Sequence, residues 1–419
     1  MANAPLHPPS AIFHPRRILV RGVNWLGDAV MTTPALLRLR EKFPAAHIAL
    51  LTPEKLADLW LNHSAIDSVV TFAANEGLFK IGSRLRFPTK YAPIRALGEA
   101  LREIHASTIN ERAGELNGAI TEATRALLVT YDLALVLPNS PRSAIEVWLA
   151  RIPQRIGYAR PWRNFFLTQA VAPRAAAVKM HKRSETEIQK LISQTPDPEP
   201  QTPTSAHQIH EYLHLAATLG ASAEPLPPQL FVMSEEIEAA KKKFGLEKIS
   251  QPVFGLNPGA EYGPAKRWPV EKFIAAAKEI QQQTNCVWLV FGGKGDMETA
   301  GRIAAEIHPP SSILHPQNLA GQTTLRELMA LLKSCRVLLT NDTGPMHVAA
   351  ALGTPVVVPF GSTSPELTGP GLPGDPRHKL LKSDAPCSPC FLRECPIDFR
   401  CMNGISVERV VAAVLAAQS

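Results

Sequence analysis

The 419-residue sequence has no apolar run of the roughly 18–20 residues that a membrane-spanning helix needs. Its opening lacks the apolar stretch of a secretory signal. The expectation is therefore a disordered, proline-rich lead over residues 1–15 and a cytoplasmic protein. No G-x-G-x-x-G follows the first strand-like run, which argues against a nicotinamide-dependent dehydrogenase. No repeat of 20–50 residues recurs, so a solenoid or propeller is excluded. Aromatic residues make up only 6% of the chain, while apolar residues make up 45%, so aliphatic side chains must build the core. Acidic residues are outnumbered, 37 against 44 Lys and Arg, giving a formal charge of +7. That balance favours anionic partners without choosing among them.

The chain is long enough for two domains, each with its own core. Apolar β-branched runs alternate with helical stretches. Residues 16–22, 47–52, 68–72 and 133–139 read as strands, with a helix following Asp28. A second series begins near residue 250: strands over 252–259, 286–293, 336–342 and 354–361, and helices over 270–284, 296–307, 325–334, 346–352 and 407–417. Alternation of this kind implies an α/β protein with parallel sheets covered by helices on both faces. The expected division is a first doubly wound domain over 16–240, a second over 250–400, and a C-terminal helix in 401–419 packing back toward the first. Ligands of such folds bind at the carboxyl ends of the strands, here in a cleft between the two domains. Residues 75–130 and the polar stretch 195–205 interrupt the alternation and carry no chemical signature.

Four segments carry chemistry. In RGVNWLGDAVMTTPAL (21–36) a strand ends at Gly22 and a helix starts at Asp28, where a P-loop would hold Lys and Ser or Thr. A carboxylate there repels phosphate. It is either a helix cap or a base kept ionised by the helix N-terminus. In GLNPGAEYGPAKRWPVEKF (255–273) a strand runs into a Gly- and Pro-rich loop, with Lys266 just before a helix. Loop N–H groups, a helix dipole and a Lys suit a diphosphate, and a positioned Lys stabilises a departing diphosphate without a metal. In TNDTGPMHVAAALGTP (340–355) Asp342, Thr343 and Gly344 follow a strand and face the cleft; Thr343 and Gly344 suit phosphate and Asp342 sugar hydroxyls, while His347 is either a site residue or a core histidine. In VFGGKGDME (290–298) Asp296 is either a ribose acceptor or a helix-start carboxylate.

Three of these motifs, VNWLGDAVMTTPAL, PGAEYGPAKRWP and NDTGPMHVAAALGTP, occur in order, and with NLAGQTTLRELMALL (318–332) and VLPNSPRSA (136–144) they closely resemble glycosyltransferase family 9 and its heptosyltransferase II group. The resemblance covers roughly residues 16–415. It implies a GT-B fold and inverting transfer of a heptose from ADP-heptose to the first heptose of a heptosyl-Kdo2-lipid A acceptor, with no cofactor required. It implies Asp28 as base and Lys266 as the diphosphate group. Gly259, Ala260, Thr323, Leu325, Asp296, Asp342, Thr343, Gly344 and His347 are the implied donor-binding positions. Acceptor phosphates and carboxylates suit Arg forks, and Arg142, Arg155, Arg160 and Arg163 are the candidates. The same charges suit peripheral contact with the anionic inner leaflet, and no nucleic-acid partner is expected. The segment 292–296 lacks the Glu that a related group places near the ribose, and residues 75–130 are longer than the family pattern. A family 9 transferase with another acceptor, or an epimerase of the same fold, is the competing reading. Cys387, Cys390, Cys395 and Cys401 cluster near the C-terminus. They read either as ligands of a structural zinc or as reduced thiols.

Overall fold

The computed structural model describes residues 14–72, 131–175, 177–193, 202–307 and 315–418. The proline-rich lead up to residue 13, the whole 75–130 stretch and residues 194–201 of the polar stretch lie outside the described residues.

The first unit comprises β1 (Arg17–Arg21), α1 (Leu26–Lys42), β2 (His47–Pro53), β3 (Ser68–Phe72), β4 (Leu133–Val136), α2 (Pro141–Leu149), β5 (Gln154–Tyr158) and β6 (Gln169–Val171). Its six strands lie in the order β3-β2-β1-β4-β5-β6, all parallel. Helices α3 (Glu185–Ser193), α4 (Ile209–Ala217) and α5 (Ser234–Lys243) follow. The second unit holds β7 (Val253–Asn257), α6 (Val270–Thr284), β8 (Val287–Val290), α7 (Met297–Ile307), β9 (Gln317–Asn318), α8 (Leu325–Ser334), β10 (Leu338–Thr340), α9 (Gly344–Ala351) and β11 (Val356–Phe360). It closes with α10 (Pro365–Thr368), β12 (Lys379–Lys382), α11 (Arg400–Asn403) and α12 (Val407–Ala417). Its strand order is β12-β11-β10-β7-β8-β9, again parallel. Central strands such as β4 and β11 are buried along their whole length, as a sheet covered on both faces requires.

In both sheets the strand order reverses at the centre, at β1/β4 and β7/β10. That is where a crevice opens at the carboxyl ends. The loops carrying Asp28, Lys266 and Asp342 leave β1, β7 and β10, so topology alone brings the three motifs to one place.

Two expectations about domain limits are corrected. The boundary was expected near residues 232–250, but α5 already packs on α8 of the second unit. Lys243 pairs with Glu327 at 2.7 Å and Arg326 with Glu236 across that contact. The crossing therefore falls between α4 and α5. The C-terminal helix α12 does not return to the first unit. It packs on α6, β11 and β12, because Val410, Val411 and Val414 form an apolar stripe that enters the second core.

Helix α1 contains Pro34, which cannot donate to the carbonyl of Val30. The Thr33 hydroxyl donates to that oxygen instead, at 2.8 Å, and accepts from the Gln229 N–H at 3.1 Å. The helix defect thus anchors the interdomain connection.

The two units meet where the N-termini of α1 and α9 touch. A Cβ on Gly27 would stand 2.7 Å from Cδ2 of His347, and one on Gly344 would stand 2.8 Å from the Leu26 side chain. Both positions need glycine for close approach, not for backbone conformation. One apolar cluster runs from Ile18 and Val30 through Met346 and Val348 into the second unit. Gly27→Ala should lower stability by about 1–3 kcal/mol through overpacking. Adding His347→Ala should recover part of that loss in a double-mutant cycle of thermal unfolding. Strict additivity of the two changes would show that this contact does not hold the units together.

Candidate active site

Asp28 sits in the first turn of α1 without capping it; the helix start has no side-chain cap. Its carboxylate instead accepts from Gln208 Nε2 at 3.3 Å, and Gln208 also donates to the Tyr212 hydroxyl at 2.9 Å. Burial raises the Asp28 pKa from 3.8 to about 6, opposed by the Gln208 hydrogen bond and by the charge of Lys266. The loop before it is held by buried Arg21, which pairs with Glu146 at 2.7 Å and donates to Gly22 O and to Asn24.

Lys266 lies opposite, its Nζ 2.6 Å from Asp342 Oδ2 and 5.0 Å from the ring centroid of Tyr262. Asp342 is only 3% exposed and also accepts from the Thr363 hydroxyl at 2.5 Å. The loop carrying Lys266 is fixed at both ends by one side chain. Asn341 Nδ2 donates to Pro258 O at 2.6 Å, and its Oδ1 accepts from the Trp268 N–H at 2.9 Å. Trp268 is buried and donates through its indole to Ile405 O.

The cysteine-rich segment braces the same loop from outside. Arg393 Nε donates to Tyr262 O at 2.7 Å, the Ala265 N–H donates to Arg393 O at 3.0 Å, and the Tyr262 hydroxyl donates to Phe391 O at 2.8 Å. A Cβ on Gly263 would collide with Arg393 O. Cys387 and Cys390 are buried with Ile188 of α3 and beside Leu392 and Ile397, and Cys401 is buried too. Burial pushes all three thiols up, that of Cys401 to about 12. Among the described residues no group of three or more His, Cys, Asp or Glu is arranged to hold a metal ion. The thiols of Cys387, Cys390, Cys395 and Cys401 lie near enough to act on one another electrostatically.

Beside Lys266 opens a cavity of about 450 Å³ at the carboxyl ends of β7 and β8. Of the expected donor positions, Gly259, Ala260, Asp296, Thr323, Leu325 and Thr343 line it. Lys266, Asp342, Gly344 and His347 do not line it and stand at its inner edge, around the α9 N-terminus. The Asp296 carboxylate accepts from the Gly293 N–H at 3.0 Å and lies over Gly259, where a Cβ would collide with it. His347 is pressed against Gly27, and burial lowers its pKa to about 4, so the ring is neutral. It is part of the domain contact and not of the cavity wall.

The four arginines expected to hold acceptor are not brought together as a free cluster. Arg163 is buried, and its Nη1 donates to Pro138 O at 2.7 Å. Burial lowers its pKa to about 10. Arg155 donates to Phe166 O and Ile152 O. Arg155 holds its loop through backbone carbonyls, while Arg163 uses only Nη1 and keeps Nε and Nη2 buried without a hydrogen-bond partner among the described residues. Arg142 pairs with Glu146 at 3.0 Å while about half exposed, and Arg160 leans over the Tyr158 ring. Gln208, Tyr212, Asn341 and Thr363 were not foreseen. Only Asn341 left a signal, as a polar side chain at the end of a buried apolar strand.

Chemically, the site places a buried carboxylate of raised pKa across a cleft from a lysine, next to a cavity at a helix N-terminus. That suits deprotonation of a hydroxyl facing a leaving group with negative charge. A model of glycosyltransferase family 9 (heptosyltransferase) matches residues 120–399. Lipopolysaccharide heptosyltransferase 2 of Escherichia coli is 28% identical over 88% of this chain and 91% of its own length. Its Salmonella typhimurium counterpart is 29% identical over 84% and 85%. The solved structure of the E. coli ADP-heptose lps heptosyltransferase II superposes with a TM-score of 0.68 at 26% identity, covering 96% of this chain and 98% of that one. With the family model matching two thirds of its length, the chain belongs to glycosyltransferase family 9.

Proposed function

We propose that the protein transfers a heptose from ADP-heptose to the first heptose of the lipopolysaccharide inner core, with inversion at the anomeric carbon. The observation that carries this reading is the placement of Asp28 within electrostatic reach of Lys266, itself paired with Asp342, beside a cavity sized for a nucleotide. The names of the relatives support the choice of donor and acceptor.

Asp28 takes the proton of the acceptor hydroxyl as its oxygen bonds to the anomeric carbon. The bond from that carbon to the diphosphate oxygen breaks on the opposite face, which inverts the centre. The transition state is oxocarbenium-like, as in glycoside hydrolysis. Lys266 and the N-terminus of α9 offset the charge growing on the ADP. The wall at Thr323 and Leu325 receives the adenine. No metal is needed for this step, because the lysine supplies the positive charge.

Asp28→Ala should cut acceptor-dependent ADP release by about 10²–10⁴-fold, the range of a positioned base. ADP should still bind, by calorimetry. Near-normal turnover would remove Asp28 from the chemistry. Turnover of a different acceptor by the wild type would keep the fold and the base but displace the heptosyltransferase II reading.

A second consequence is thermodynamic. The raised pKa means the folded state binds the Asp28 proton more tightly than the unfolded chain does. Stability from that proton is present below about pH 4 and is lost as pH rises through about 6. Above it the ionised carboxylate costs at most about 3 kcal/mol. Asp28→Asn should therefore melt higher than the wild type at pH 8, with the difference closing below pH 5. A lower melting temperature at pH 8 would show that the carboxylate is not strained there.

A further inference from the structure

The loop after β5 presents large aromatic side chains to solvent. Trp162 is 89% exposed and Phe165 81%, against 41% for Trp148. The rings form a connected row: Trp148 and Phe166 meet edge-on at 5.4 Å, as do Phe165 and Phe166. Surface rings of this size are ordinarily turned inward.

This display is held rigidly. Buried Arg163 anchors the loop to Pro138 O, Arg155 Nε donates to Phe166 O at 2.7 Å, and Asn164 Oδ1 accepts from the Arg160 N–H at 2.9 Å. Trp162 itself has φ of 65°, a conformation a bulky residue rarely adopts, and it directs the indole away from the domain. A strained backbone held in place by buried Arg163 and half-buried Arg155 marks a feature with a use.

The sequence that forms this surface is basic, although Arg163 is buried and Arg174 pairs with Glu211 at 2.9 Å. From Val147 to Ser184 the chain carries Arg151, Arg155, Arg160, Arg163, Arg174, Arg183, Lys179 and Lys182, and no Asp or Glu. Arg151 and Arg160 flank the aromatic row directly in sequence. Exposed Trp and Phe beside Arg151 and Arg160 match an anionic lipid interface: rings enter the headgroup layer while guanidiniums meet phosphates.

We propose that the surface formed by Trp148, Trp162, Phe165 and Phe166, with Arg151 and Arg160, docks on an anionic lipid bilayer. The loop leaves the carboxyl end of β5, two strands from β1 in the sheet. At 4.7–4.9 Å per strand that is about 10 Å from the strand feeding Asp28. A lipid-anchored acceptor held at this rim has its sugars on the same edge as the base. The proposal stands on the surface itself and goes beyond the assignment of the reaction.

The test uses full-length protein and vesicles containing no acceptor, so its failure is separate from failure of the activity. Wild type should sediment with phosphatidylglycerol-containing vesicles, less at 0.5 M than at 0.05 M salt, and not with phosphatidylcholine alone. Trp162→Ala with Phe165→Ala should weaken partitioning by about tenfold or more, scaling with the apolar area withdrawn from the bilayer, at an unchanged thermal midpoint. Brominated lipid should quench wild-type fluorescence, and Trp162→Phe should lose most of that quenching. Absence of wild-type binding, equal binding by the double variant, or equal quenching without Trp162 would overturn the proposal. Binding of short single-stranded RNA by the same residues, with no vesicle binding, would overturn it in favour of a nucleic-acid surface.

Discussion

The structure depends on two helix N-termini meeting across a domain boundary. Helices α1 and α9 come from different sheets, yet their first turns touch, because Gly27 admits the His347 ring and Gly344 admits Leu26. That contact lies beside half-buried Asp28, whose pKa is raised by burial to about 6. It also sets Lys266 and Asp342 near enough to act on Asp28 electrostatically, one lowering its pKa and the other raising it. The chemistry of either domain alone would be incomplete. Asp28 and its loop come from β1, and the cation and cavity come from β7 and β10. Gln208, which steadies the carboxylate, comes from the segment leading into α4, whose backbone N–H donates to Leu367 O of the second unit.

A second layer of structure serves the lysine. A loop rich in Gly and Pro would be a poor platform for a charge that must sit within ångströms of a diphosphate. Asn341 closes the loop from within, and Arg393, Tyr262 and Phe391 clamp it from outside. The cysteine-rich segment has its use here. It fills the space between α3 and the end of β11, where the Ser388 hydroxyl donates to Gly361 O at 2.7 Å and the Phe391 N–H to Ser362 O at 2.6 Å. Cys387, Cys390 and Cys401 are buried in it, and Cys395 Sγ accepts from the Phe399 N–H at 3.3 Å.

The architecture was legible where strands are buried on both faces, since continuous runs such as 16–22 and 354–361 have one structural outcome. Strands β5, β6, β9 and β12 were not foreseen. They are short and lie toward sheet edges, where Gln154, Gln169 and Lys379 dilute the pattern. The motif loops were legible because Gly, Pro and a charge after a strand constrain few alternatives. Asp28 was not: cap and base look alike in sequence, and what separates them is a hydrogen bond from Gln208, 180 residues away. The arginines show the reverse problem. Arg155 and Arg163 read as free charges, and only the fold reveals that Arg155 is turned onto backbone carbonyls and that Arg163 is buried, with one nitrogen on Pro138 O.

The account's central claim is that the buried environment of the domain contact tunes Asp28 as a base. The pH dependence of single-turnover heptose transfer, compared between wild type and Gln208→Leu, tests it most directly. In the wild type the rate should rise with one ionisation near pH 6, the acid limb belonging to a carboxylate that must lose its proton to act. Removing the Gln208 hydrogen bond, which favours the charged form, should move that limb to higher pH while the plateau is still reached. A limb that stays in place in the variant, or a wild-type rate flat between pH 5 and 8, would contradict the account.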